Sequence, residues 1–343
     1  MTLFRLFRLT FYVVFLTSLG VAYYIYSESI SKPLGNRTFK LEIPKGVGVS
    51  WLANHLEKNG VVESRYIFRA YTWLNNRDIQ IKAGEYTLVD VEDIPDLVEK
   101  VQSGKVIDYS ITLIEGKTFK EYLAQLKSQK QLVDELDSMS HDEIMARLGA
   151  MGTHPEGQFA PQTYFYQKGD SDFDVLKQAF ERQQTVVKEQ WDRRDVQILL
   201  NSPYELLIMA SIIEKETGAA HERAEISGVF NNRLKIGMKL QTDPTVIYGM
   251  GDAFDGNIRR KDLRTDTPYN TYTRYGLPPS PIAMPGEDAI KAAANPAATE
   301  AFYFVGKGDG THQFSKTLKD HNNAVIKYQL GGKPRAFSSN PQQ

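Results

Sequence analysis

The chain has 343 residues, 41% hydrophobic and 24% charged, which suits about two globular domains at a loose ~150 residues each. Its net charge of -1 provides no field favouring nucleic acid or another polyanion as partner. It has no cysteine, which excludes disulfides, thiolate metal sites and thiol nucleophiles without fixing a compartment.

The first predicted element is a membrane span. Leu9 to Ser27, "LTFYVVFLTSLGVAYYIYS", carries no charge, and as a helix it covers roughly 28 Å at ~1.5 Å per residue. Arg5 and Arg8 precede it and Glu28 follows, so the positive-inside rule puts residues 1–8 in the cytoplasm and the body across the membrane. Tyr12, Tyr23, Tyr24 and Tyr26 include interfacial anchors. The competing reading is a cleaved signal peptide; the length of the apolar run and the lack of a small-x-small site speak against it.

Residues 28–37 read as a polar linker. "TFKLEIPKGVGVSWLANHLEKNGVV" then predicts an extended segment, a Pro/Gly turn and a helix with Val49, Leu52, Ala53 and Leu56 on its apolar face. The pattern returns seventy residues later in "YSITLIEGKTFKEYLAQLKSQKQL". There Gly116 matches Gly46, and Phe119, Tyr122, Leu123 and Leu126 match the apolar positions. Between the copies lie a helix ("SRYIFRAYTWLN"), a strand ("IKAGEYTLV") and a helix with Asp93 as N-cap, Pro95 in its first turn and Gly104 at its end. We expect one small α+β domain over 38–150, with Gln129 to Ala150 as the hinge.

A second body is expected over 151–335, with a disordered tail over 336–343. It opens with "HPEGQFAPQTYFY". A helix follows with Phe173, Leu176, Phe180, Val187 and Trp191 along one face, then the glutamate-rich stretch "MASIIEKETGAAHERAEISGVFNNRL" on two helical segments. "LQTDPTVIYGMG" reads as a loop, and "DTPYNTYTRYGLPPSPIAMPG" as a turn-rich region. "DAIKAAANPA" predicts a helix, "EAFYFVGKG" a strand, "GKGDG" a turn, and "HQFSKTLKDHNNAVIKYQ" a last helix.

At ~100° per residue, Glu216 lies about 50° from the mean direction of the apolar side chains Leu206 to Ile213, and Glu214 about 105°. Glu216 is thus the more enclosed. A carboxyl pressed against apolar neighbours resists ionising, which suits a general acid; a glutamate at a helix end is also commonly just solvated. Gln241, Thr242 and Asp243, with Tyr269, Asn270 and Tyr272, offer the amides, hydroxyls and aromatic faces that grip a sugar. An irregular loop capped by its own Asn and Tyr would look the same. Glu216 and Asp243 could pair as glycosidase carboxylates, although sequence spacing fixes no distance. Six scattered histidines and "HERAE", which is not His-Glu-x-x-His, give no metal site. No nucleophilic-serine motif or phosphate loop is present.

The stretches "EGQFAPQTYFY", "ASIIEKET", "VFNNRLKIGMKLQTDPTVIYG", "YNTY", "GLPPSPI" and "HQFSKTLKDHN", in this order, resemble the endolytic murein transglycosylases of the YceG-like family over nearly the whole chain. Gln162 departs from the aspartate usual there, which removes a carboxylate role at that position. The resemblance implies an α+β protein with a single N-terminal transmembrane helix, a small LysM-like domain and a larger catalytic domain. It also implies an enzyme of the cytoplasmic (inner) membrane, its body periplasmic, that cuts nascent peptidoglycan glycan strands internally between N-acetylmuramic acid and N-acetylglucosamine. The cut is made without water and leaves 1,6-anhydro-muramyl ends. The family's catalytic glutamate falls on Glu216. Glu214, Gln241, Thr242, Asp243, Tyr269, Asn270 and Tyr272 then become substrate-binding candidates. No cofactor is implied, and a peptidoglycan synthase is the implied partner. A noncatalytic glycan-binding scaffold and a hydrolase using the same acid are the rival readings.

Overall fold

Twenty-nine residues dominated by Leu, Phe, Val and Tyr form the first helix, α1 (Thr2–Ile30), in the computed structural model, which describes residues 2–75 and 80–333. The part Phe4–Ile30 is long and apolar enough to cross a membrane, and the rest of the fold buries none of its apolar window. The helix extends three residues past the expected span. The expected linker is also not free: the Leu34 side chain is buried, and the Leu34 N–H donates to the Glu92 carbonyl at 2.8 Å. Leu34 is an apolar residue in a polar stretch, and the core beside it takes it in.

The chain divides into two compact units, residues 1–109 with 166–170, and 110–165 with the chain from 171 onward. In the first, β1 (Leu41–Ile43) alternates in, out, in, and Leu41 and Ile43 join the core. The turn at Gly46 adopts φ +82°, open to glycine at little cost, and leads into α2 (Val49–Lys58), which buries Leu52, Ala53 and Leu56. Next come α3 (Arg65–Asn75), with Phe68 inward, and β2 (Gly84–Tyr86), antiparallel to β1 with Leu41 opposite Tyr86. In α4 (Ile94–Ser103), the Asp93 side chain accepts the Asp96 N–H at 3.0 Å, Pro95 sits in the first turn, and Gly104 in the left-handed region ends the helix, as the sequence predicts. Leu41, Leu52, Leu56, Leu88 and Leu97 are fully enclosed, each stabilising the unit by roughly 1.5–3 kcal/mol.

The paired strands β3 (Asp108–Thr112) and β4 (Thr163–Gln167) carry the chain between the units. After β3, Gly116 (φ +72°) and α5 (Phe119–Lys127) reproduce the β1–Gly46–α2 pattern, so the repeat exists locally. Its second copy belongs to the second unit, where the Phe119 ring stacks on Phe159 at 5.1 Å. The division therefore falls at residue 109, earlier than the expected 150. The segment expected as a hinge is packed into the second unit through α6 (His141–Arg147), with Ile144 and Met145 buried. Buried Asp172 also accepts the Glu135 and Leu136 N–H groups at 2.9 and 3.2 Å.

The second unit continues with α7 (Asp172–Asp192), α8 (Pro203–Glu216) and α9 (Arg223–Lys235). Leu206 to Ile213 are all buried, so α8 is covered on every side and forms the axis of this unit. Its one polar residue there, Ser211, donates to Ile208 O at 2.7 Å and accepts the Ile282 N–H at 3.0 Å. The stretch expected as a loop after α9 is a helix, α10 (Asp243–Met250): Pro244 lies in its first turn, where proline is tolerated, and does not break it. α11 (Arg260–Arg264) precedes the turn-rich region, and α12 (Glu287–Ala294) lays Ala289, Ile290 and Ala293 in the core around α8. β5 (Tyr303–Gly306) is the expected strand. "HQFS", expected to start the last helix, is instead β6 (His312–Ser315), antiparallel to β5 with Phe304 opposite Phe314. α13 (Leu318–Tyr328) follows, and the predicted tail from 336 lies outside the described residues.

Candidate active site

Ser202 starts α8 by accepting the Glu205 N–H at 3.2 Å, with Pro203 in the first turn; the helix stops where Thr217 turns extended (φ -144°, ψ 135°). Glu214 and Glu216 therefore share its last turn and point to different places. Both are partly exposed as residues, with the Glu214 side chain only 7% open. Glu214 accepts the Gly286 N–H at 3.0 Å and faces Arg223 at 3.7 Å. Burial raises its pKa, opposed by the Gly286 N–H and aided by the neighbouring charge of Glu115.

Glu216 turns to α10. Its Oε1 accepts a hydrogen bond from the Thr242 hydroxyl. Burial pushes its pKa up to about 7; the Thr242 bond opposes this, Asp243 adds to it, and the charges of His312 and Arg233 pull it back. Its place at the negative end of α8 acts in the same direction as burial. A carboxyl poised near neutrality can give a proton and take one back, as general acid–base catalysis requires.

Thr242 is held from several sides. Gln241, which precedes it, has φ +48°, a left-handed conformation that costs a non-glycine residue about 1–2 kcal/mol. The Gln241 N–H donates to Thr271 O at 3.2 Å and the Thr242 N–H to Thr271 Oγ1 at 3.1 Å. Thr245 donates to Thr242 O at 2.8 Å and shares a hydroxyl contact with Thr271 at 2.9 Å. These three buried threonines set the hydroxyl that meets Glu216. Beside them the Tyr272 hydroxyl donates to Asp243 Oδ1 at 2.5 Å, and burial together with Asp243 raises the tyrosine pKa.

The structure thus gathers Glu216, Thr242, Asp243 and Tyr272. The other candidates stand differently. Asn270 is buried, its amide donates to the carbonyls of Asp262, Leu263 and Thr265, and its Oδ1 accepts the Tyr272 N–H at 2.8 Å. It shapes the loop and has no group left to offer a sugar. Tyr269 bonds Ser280 at 2.7 Å and packs edge-on against Tyr248; Gln241 is exposed and serves through its backbone.

Two buried charges escaped the sequence reading. Arg233 donates to Phe302 O at 2.6 Å and to Leu240 O. Its register was legible, because Ile226, Val229, Phe230 and Arg233 share one helical face. Glu156, only 3% exposed, has its pKa pushed up by burial to about 7, and accepts from Phe119 N–H at 3.0 Å and Tyr248 OH at 3.1 Å. It lies in an irregular stretch with no periodicity to flag it. Among the described residues, no group of three or more His, Asp or Glu is placed to hold a metal ion.

The sequence pattern of the YceG-like family matches residues 41–327. A protein of Bacillus subtilis (strain 168) named endolytic murein transglycosylase is 34% identical over 325 residues, covering 89% of each chain. One of the same name from Streptococcus pneumoniae (strain ATCC BAA-255 / R6) is 27% identical over 83% of this chain, which spans 57% of that longer protein. The crystal structure of a YceG-like protein from Listeria monocytogenes is similar with a TM-score of 0.55 at 30% identity, covering 83% of this chain and 98% of that one. The chain belongs to the YceG-like family.

Proposed function

We propose that the chain, through its family an endolytic murein transglycosylase, cuts glycan strands with Glu216 as its one acid–base group. Protonated Glu216 gives its proton to the oxygen at C4 of N-acetylglucosamine as the bond from C1 of N-acetylmuramic acid breaks. The resulting carboxylate takes the proton of the muramyl 6-hydroxyl, whose oxygen bonds to C1 and closes the 1,6-anhydro ring. The nucleophile is tethered to the sugar, so effective concentration replaces a second catalytic side chain. Thr242 steadies the carboxylate between the two proton transfers. Asp243, fixed by Tyr272, places negative charge where the anomeric carbon turns positive. Glu214, Tyr269, Asn270 and the Gln241 backbone support this arrangement without touching sugar.

The observation that carries the reading is Glu216 itself: a carboxyl with a pKa of about 7 that has one oxygen bonded to Thr242 and keeps part of its surface open. We further propose that α1 spans the cytoplasmic membrane with Arg5 and Arg8 inside, the body facing the wall and its synthases. The first unit runs β1–α2–α3–β2 with the two strands antiparallel, an order that supports a LysM-like, glycan-holding role.

The test incubates the full chain, in detergent, with uncrosslinked glycan and reads product ends by mass spectrometry. Anhydro-muramyl ends that vanish in Glu216→Gln are the expected result. Reducing ends would make the protein a hydrolase. Intact glycan that nonetheless binds the folded native chain would make it a scaffold.

A further inference from the structure

We propose that the C-terminal end of α3 docks in the outer membrane–water interface beside α1, giving the first unit a second contact with the bilayer. The proposal rests on the reading of α1 as a membrane span. α3 packs against α1, and the Asn75 amide donates to the Tyr26 hydroxyl at 3.4 Å. Counted from Leu9 at ~1.5 Å per residue, a ~30 Å hydrocarbon core ends near Ser27, one residue from Tyr26. The contact therefore puts the end of α3 at headgroup depth. Tyr26 is partly covered there while Tyr23 and Tyr24 remain exposed, as a tyrosine belt requires.

The outward surface of α3 suits that depth. Phe68 and Thr72 are buried in the unit, whereas Trp73 and Leu74, at the end next to Tyr26, are 62% and 58% exposed. A tryptophan and a leucine side by side at a helix end gain little from water. At the headgroup level a tryptophan's amphipathic ring meets an apolar environment on one side and a polar one on the other. Exposed Arg69, one turn earlier on the same side as Trp73, brings a cation toward the lipid phosphates. The bilayer is favoured as occupant over a second protein because the patch adjoins Asn75, whose amide bonds Tyr26 on the apolar helix α1.

The chain's lack of cysteine makes the test direct. Single-cysteine variants Trp73→Cys, Leu74→Cys, Leu16→Cys and Val196→Cys carry a nitroxide in the full chain, reconstituted in nanodiscs of phosphatidylethanolamine and phosphatidylglycerol. Accessibility to oxygen and to a water-soluble nickel complex reports depth. Leu16 is the deep reference within α1, and Val196, 89% exposed in the second unit, the aqueous one. The expected result is an oxygen-to-nickel ratio at both 73 and 74 several-fold above that at 196 and below that at 16. Ratios at 73 and 74 equal to that at 196, with 16 still in lipid, would overturn the docking and leave the span standing. A water-accessible label at 16 would remove the span and the docking with it. Labels at 73 and 74 shielded from both reagents, unchanged when nanodiscs are replaced by micelles, would assign the patch to protein and overturn the proposal. The two neighbouring sites guard against a disturbance at either one.

Discussion

Glu216 and Glu156 both lie in the second unit, and burial pushes each to a pKa of about 7. Their wiring separates them. Glu156 is sealed, with Oε1 taken by the Phe119 N–H at the start of α5 and Oε2 by the Tyr248 hydroxyl on α10. Glu216 has Thr242 on Oε1, and among the described residues no donor bonds its Oε2. A raised pKa makes a carboxyl capable of proton transfer, but only an accessible oxygen lets it act on a substrate. Glu156 is a tie between two helices, whereas the wiring of Glu216 is what the acid proposed above requires.

Glutamine substitution at the two sites tests this distinction most strongly. Glu216→Gln should lower the release of anhydro ends by about 10³-fold, within the range that general acid–base groups contribute. Glu156→Gln keeps an acceptor for the Phe119 N–H and should stay within about tenfold of the native rate. Equal losses in two folded variants would erase the difference drawn between them. The pH profile separates the two again. Because the proposed mechanism starts from protonated Glu216, kcat/KM should fall about tenfold per pH unit above about 7. Glu156→Gln should leave that limb where it is.

Thr242→Val gives a smaller, directional effect. The hydroxyl donates to the carboxylate and so favours the ionised form, opposing burial. Its loss should raise the pKa of Glu216 and move the alkaline limb up by about half to one unit, with a rate loss under about tenfold. A limb that moves down would show that Thr242 does not act on the carboxylate as its donor.

The sequence disclosed what was locally encoded. Asp93, Pro95 and Gly104 mark their helix through chemistry within a few residues of each end; the helical angle makes Glu216 the more enclosed glutamate, whereas in the fold both are partly exposed and differ in their partners. What stayed hidden depended on distant partners. β6 exists because β5 pairs with it; its four residues carry too little pattern to outweigh the helix that follows. The second strand–turn–helix copy looks like the first, and nothing local says that Phe119 will meet Phe159. Asn270 has the composition of a sugar-binding residue, and only the fold shows that its amide serves the carbonyls of 262, 263 and 265. Pro244 reads as a loop residue in the sequence because proline marks both turns and first helical turns, and only the fold distinguishes them.

Stability measured against pH should show both glutamates, where activity shows one. A carboxyl whose folded pKa is about 7 and whose ordinary value is 4.5 binds more protons folded than unfolded between those two pH values. Its favourable contribution is therefore complete below about pH 4.5, declines as pH rises, and is lost above about 7. Each group accordingly penalises the folded state at pH 8 by at most about 3 kcal/mol relative to its protonated form. Glu156→Gln and Glu216→Gln should each flatten the decline between pH 5 and 8 in chemical denaturation of the full chain, and the double variant should flatten it further. The two effects should be close to additive, since the residues share no hydrogen-bond partner. A decline left intact by Glu156→Gln would mean that Glu156 ionises freely in its sealed site. The difference between the two residues would then have to be drawn from pKa as well as from access.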